Sequence, residues 1–128
     1  LRHLEAWTEA RRARAAQYAA ALSGTGVVVP GERPGDRHVY HVYAVRLAER
    51  DRWRAHLEAR GVQTGVHYPI PVHLQPAYRD LGYTVGDFPV AERAASEVLS
   101  LPIYPELTPA QVDYVASCLR EEPGATTA

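Results

Sequence analysis

Apolar residues recur near a 3.6-residue period at the start of the chain: Leu1, Leu4, Trp7, Ala15, Tyr18, Ala19 and Leu22. That spacing predicts an amphipathic helix over residues 1–22, with these side chains on its buried stripe. Arg11, Arg12 and Arg14 fall mostly off the stripe. They suit a solvated face or a subunit contact. Ser23-Gly24-Thr25-Gly26 ends the helix, glycine being free to take the left-handed conformation.

The pattern then shortens. Val27, Val28 and Val29 before Pro30 read as a buried strand, and residues 31–37 as a polar loop turning at Pro34-Gly35. Residues 38–47, HVYHVYAVRL, combine β-branched and aromatic residues without a breaker and predict the longest strand. Asp51 is the expected N-cap of a helix running to Arg60, with Trp53 and Leu57 as its buried pair and Gly61 just past its end. Residues 62–67 predict a third strand. From Tyr68 to Pro76 the chain is a loop of fixed shape, because Pro69, Pro71 and Pro76 cannot donate to a ladder. Gly82 to Gly86 form another loop, and Asp87 is the expected cap of a helix over residues 89–98. After a short extended segment at 99–102, Thr108-Pro109-Ala110-Gln111 spells a capping box with proline at the first helical position. Val112, Val115 and Leu119 make that last helix amphipathic; residues 121–128 read as a disordered tail.

These elements define an α/β chain of the α+β kind, a small mixed or antiparallel sheet flanked by helices. At 128 residues it has the length of one domain. A net charge of −1 provides no basic field for nucleic acid or anionic lipid. No apolar run approaches the roughly 20 residues needed to span a bilayer. A lone Cys118 fits a reducing, cytoplasmic setting and, on the apolar side of the last helix, an inert core position.

Six histidines are the first candidates for chemistry. His38 and His41 lie three apart in a predicted strand, so they point to opposite faces and share no metal. His67 and His73 flank the YPIPV segment, whose prolines hold their separation. They either pack and cap a proline-rich turn or form the polar wall of a ligand pocket; no ligand-like spacing supports zinc. Tyr68, Tyr78, Tyr83 and Tyr104 suit a sugar or nucleotide surface and a subunit interface equally.

Three stretches carry a resemblance. HVYHVYAVR, then RDRWRAHLEARGVQTGVHYPIPVHLQPAYRDLGY, then GDFPVAERAASEVLSLPIYPELTPAQVDYV resemble the C-terminal segment of the DegT/DnrJ/StrS aminotransferases. HYPIPVHLQPAY and LSLPIYPELT are the most specific parts, and the likeness runs to about Leu119. It implies a C-terminal small domain over residues 1–120 of a fold type I enzyme, with residues 1–22 joining it to a large domain. It further implies pyridoxal 5'-phosphate as cofactor, an amino donor such as L-glutamate, a nucleotide-linked keto sugar as acceptor, and a homodimer. On the matching residues, His67, Tyr68, His73 and Gln75 are expected to face substrate. His38, Tyr40 and Tyr43 are secondary candidates near the domain interface.

The chain departs from that pattern in one respect. All 14 of its Lys+Arg residues are arginine, so no lysine is present to form a Schiff base and no catalytic residue is assigned. With no methionine and a start at Leu1, it is expected to be a fragment, inactive alone and unable to hold the cofactor by itself. The alternative is a non-catalytic module of the same descent that binds nucleotide sugars or regulates.

Overall fold

The computed structural model describes residues 1–121. The expected tail therefore lies outside the described residues, Glu121 excepted. In order, the elements are α1 (Leu4–Ala21), β1 (Tyr43–Arg46), α2 (Arg50–Glu58), two 3-10 turns (Val72–Leu74 and Pro76–Leu81), α3 (Pro89–Glu97), β2 (Val98–Leu101) and α4 (Pro109–Arg120).

β1 and β2 pair antiparallel, with Tyr43 opposite Leu101, Ala44 opposite Ser100, Val45 opposite Leu99 and Arg46 opposite Val98. The two further segments predicted as strands each join by one bridge only, Val28 to Arg46 and Gly65 to Ser100. α4 packs on α1 and α2, and α3 lies against β1. Tyr18, Tyr43, Leu22, Leu57, Leu99, Leu119, Val45, Val112 and Cys118 fill the centre of the core. The mixed α/β architecture agrees with the sequence pattern.

The long strand expected over residues 38–47 shortens to its last part. The cause lies in where its backbone groups go. Arg11 Nε donates to Val39 O and Arg12 Nη1 to His38 O, while the Tyr40 amide donates to His38 Nδ1. Tyr40 itself takes a positive φ of 46°. Side chains thus satisfy groups that a ladder would have used, and the period-two alternation fails: Tyr40 and Tyr43, three apart, are both buried.

The arginines of α1 are accordingly not a plain solvated face. Arg12 also pairs with Glu32, and Arg14 Nε donates to Leu107 O at 2.6 Å, tying α1 to the turn before α4. The predicted stripe is buried only in its second half. Ala15, Tyr18 and Leu22 are buried, whereas Leu1, Leu4 and Trp7 stay exposed.

Two expected caps are replaced. Asp51 pairs with the neighbouring Arg50; the N-cap of α2 is Glu49, in the left-handed region. Arg50 Nη1 reaches Val98 O at 3.1 Å, satisfying a carbonyl at the end of α3. The Asp87 carboxylate accepts from the Thr84 amide, and Phe88 is the N-cap of α3. Gly61, at φ 74°, does occupy the left-handed position after α2.

The capping box of α4 forms in full. Gln111 N donates to Thr108 Oγ1, and Thr108 N donates to Gln111 Oε1. Thr108→Ala is expected to destabilise the fold by about 1 kcal/mol. A lowered urea midpoint with unchanged slope would show it.

Candidate functional site

The segment between the Gly65 bridge and α3 is an arm of prolines, 3-10 turns and exposed aromatic residues. It starts from a fixed base. Gly65 and Ser100 exchange both backbone hydrogen bonds, at 3.0 and 2.7 Å. Two residues on, His67 Nδ1 meets Ser100 Oγ at 2.7 Å. Tyr68 then adopts a left-handed φ of 62° and is 80% exposed. A bulky residue held there costs about 1 kcal/mol, and such residues gather at functional surfaces. Gln75 Nε2 points back to Ile70 O at 3.5 Å, loosely closing the proline turn.

His73 has a different anchor. Its side chain is only 8% exposed, with Nε2 3.1 Å from Glu92 Oε1 on α3. Its ring lies 4.7 Å from Phe88, and Tyr83 meets both rings edge-on. Glu92 also accepts the amides of Gly86 and Phe88, at 2.9 and 3.2 Å. One carboxylate therefore gathers His73, the 82–88 loop and the first turn of α3.

Those contacts hold the Glu92 carboxyl below the usual carboxylate range. The Gly86 amide contributes most, with Phe88 N and His73 adding to it against a partial desolvation. A carboxyl depressed in the folded state stabilises above its unfolded value, 4.5, and loses that contribution as pH falls through its lower folded value. The stability difference between wild type and Glu92→Gln is therefore expected to shrink below pH 4.5. Urea unfolding of both proteins from pH 6 to pH 3 measures it.

His38, Tyr40 and Tyr43 form a separate group. The His38 ring lies tilted against Tyr40 at 4.2 Å, Tyr40 meets Tyr43, and Tyr43 stacks on Tyr18 of α1 at 5.1 Å. Tyr43 is 1% exposed, and its hydroxyl donates to Ala15 O at 3.4 Å. Burial pushes its phenol well above the ordinary range. Tyr43 is therefore a core residue with no surface to offer a substrate. Tyr40 is nearly as enclosed, and only His38 of the three is exposed. None of their hydrogen-bond or ring partners lies in the 67–88 arm.

Sequence reasoning missed Glu92, Phe88 and Ser100. Glu92 looks like any acid in a first helical turn. Ser100 had a signal: it is the one polar residue in the apolar run Val98–Leu101. Among the described residues, no group of three or more His, Cys, Asp or Glu could hold a metal ion. No described helix is long and apolar enough to cross a membrane. Without a lysine, the donor set does not complete a Schiff-base cofactor site.

This two-stranded antiparallel sheet with helices packed on it and a proline-rich arm matches about a third of the length of solved aminotransferase chains. The fold superposes on Streptomyces venezuelae DesV, solved in complex with a ketimine intermediate, with a TM-score of 0.92 and 42% identity, over 98% of this chain and 34% of that one. The model of the DegT/DnrJ/EryC1/StrS aminotransferase family matches residues 1–120, and the chain belongs to that family. It is 47% identical to the pleiotropic regulatory protein of Geobacillus stearothermophilus, over 93% of this chain and 33% of that protein. It is 44% identical to the dTDP-3-amino-3,4,6-trideoxy-alpha-D-glucose transaminase of Streptomyces venezuelae, over 94% of this chain and 32% of that protein. The chain spans about a third of the length of these curated relatives.

Proposed function

We propose that this chain is the small domain of a pyridoxal-phosphate-dependent aminotransferase that aminates a nucleotide-linked keto sugar for aminosugar biosynthesis. The observation that carries the reading is the superposition on DesV at 42% identity across nearly the whole chain. The dTDP-sugar transaminase among the relatives, and a UDP-N-acetyl-3-dehydro-alpha-D-glucosamine 3-aminotransferase of Acidithiobacillus ferrooxidans that is 37% identical over 92% of this chain and 31% of that protein, support a dTDP- or UDP-linked acceptor. Pyridoxal phosphate is the cofactor of this family's aminotransferases. Its lysine comes from outside these 128 residues, so the chain alone is inactive. L-glutamate is the proposed amino donor, and a cytoplasmic homodimer the proposed assembly. Exposed Tyr68, Ile70, Val72, Leu81 and Val85 support an arm covered by another domain or subunit.

Within that reading the chain's own residues bind and orient. His67 and Tyr68 present polar groups to the acceptor from the base of the arm. Gln75 shapes the proline turn, and His73 fixes the 82–88 loop through Glu92.

The relative named as a pleiotropic regulatory protein favours a second reading, a regulatory module that binds nucleotide sugars without turning them over. One experiment separates them. Protein made from the complete reading frame is supplied with pyridoxal phosphate, L-glutamate and dTDP- or UDP-keto sugars. Aminated sugar, with cofactor absorbance that survives dialysis and is trapped by borohydride, supports the enzyme. Nucleotide-sugar binding with neither signal supports the regulator.

A further inference from the structure

His67 is restrained by more than its place in the arm. The paired backbone bridge fixes Gly65 against Ser100 two residues before the histidine. Ser100 itself sits in the centre of β2, paired on its other side with Ala44, and is buried. The imidazole then folds back across Gly65. A β-carbon there would stand 3.1 Å from His67 Cε1, so the absence of a side chain is what lets the ring lie in this position. Ser100 Oγ closes the arrangement at 2.7 Å from Nδ1.

The proton on that hydrogen bond can be placed. A buried hydroxyl needs an acceptor for its hydrogen, and leaving it without one costs about as much as a lost hydrogen bond. Among the described residues the only partner of Ser100 Oγ is His67 Nδ1. The hydroxyl therefore donates, Nδ1 accepts, and the neutral ring carries its proton on Nε2. Nε2 has no partner among the described residues, and His67 is exposed.

We propose that Ser100 is a positioning residue: its hydroxyl selects the Nε2–H tautomer of His67 and aims that donor outward at an oxygen of the sugar-nucleotide acceptor. The proposal rests on the aminotransferase reading for the identity of the ligand, not for the state of the ring. An acceptor rich in phosphate and hydroxyl oxygens needs a donor, which this tautomer supplies. A ring already held by Ser100 and Gly65 loses little freedom when the ligand arrives.

The test uses protein from the complete reading frame, with ¹⁵N-labelled histidine and the His67 signal assigned by its loss in His67→Gln. Wild type is expected to show His67 as the Nε2–H tautomer. Ser100→Ala should give a mixture of tautomers and raise the acceptor KM about tenfold, with the donor half-reaction unchanged. Ser100→Thr, which keeps a hydroxyl, should restore both. Gly65→Ala leaves Ser100 in place but pushes the ring, and should move both readouts in the same direction as Ser100→Ala. An unchanged His67 tautomer in Ser100→Ala overturns the positioning role whatever the enzyme does. A changed tautomer with unchanged acceptor KM overturns the link to substrate. A protein that aminates no sugar overturns the aminotransferase reading and the acceptor link together, while the tautomer result still decides what Ser100 does to the ring.

Discussion

Tyr18→Ala is expected to cost about 3–5 kcal/mol, the range for removing a large buried aromatic side chain. Tyr18 is fully buried on α1, stacks on Tyr43 at 5.1 Å and donates its hydroxyl to Pro102 O at 3.1 Å. It therefore joins α1 to β1 and to the end of β2. Since domains of this size are stable by roughly 5–15 kcal/mol, the loss is a large fraction of the whole. Tyr18→Phe keeps the stacking and should cost about 1–2 kcal/mol for the unpaired Pro102 carbonyl. Urea unfolding of the three proteins measures both steps. Equal stability of the Phe and Ala variants would mean that the hydroxyl, not the ring, holds α1 in place.

His73→Ala is expected to raise the KM for the sugar acceptor about tenfold while sparing the half-reaction with the amino donor. The imidazole gives Glu92 one of its three partners and packs on Phe88. Losing that bond and that ring contact frees the 82–88 loop from one of its anchors. Glu92→Ala removes the hub itself and should do more, because the amides of Gly86 and Phe88 lose their acceptor as well. His73→Phe separates packing from polarity: it keeps a ring against Phe88 and drops the bond to Glu92. Steady-state and half-reaction kinetics provide the readout. Equal loss in both half-reactions would make His73 a support for the whole domain rather than for the acceptor side.

The signals most readable along the chain were local ones. The capping box at Thr108 and the glycine at position 61 need only their neighbours, and both formed as expected. The apolar stripe of α4 is local in the same sense, and Val112, Val115 and Leu119 are all buried. The signals that misled depended on competition between distant groups. Residues 38–42 have strand composition, yet Arg11 and Arg12, more than 25 positions earlier, take their carbonyls. Asp51 and Asp87 are good caps by type, but Arg50 claims one and the Thr84 amide the other. Trp7 falls on the helical stripe, but the first turns of α1 extend past the core that would have covered it.

The candidate site divides along the same line. His67, Tyr68, His73 and Gln75 were singled out on the sequence because they lie in the HYPIPVHLQPAY stretch that carries the family resemblance. Their partners were not. Ser100 stands 33 positions from His67 and Glu92 19 from His73, and no periodicity connects them. Tyr43, a secondary candidate by the resemblance, lies in the core because its ring packs on Tyr18 of α1, a contact that no local pattern encodes.

The sequence by itself determined the helical segments, their strongest caps, the rigid proline turn, the absence of a Schiff-base lysine and the family. Each follows from residue type and near-neighbour spacing. Only the tertiary structure decided which carbonyls the arginines take, which tyrosines enter the core and which side chain anchors each histidine. Those outcomes depend on which groups the sheet, α1 and α3 bring within hydrogen-bonding reach of one another, and a buried polar group bonds to whatever partner that packing supplies.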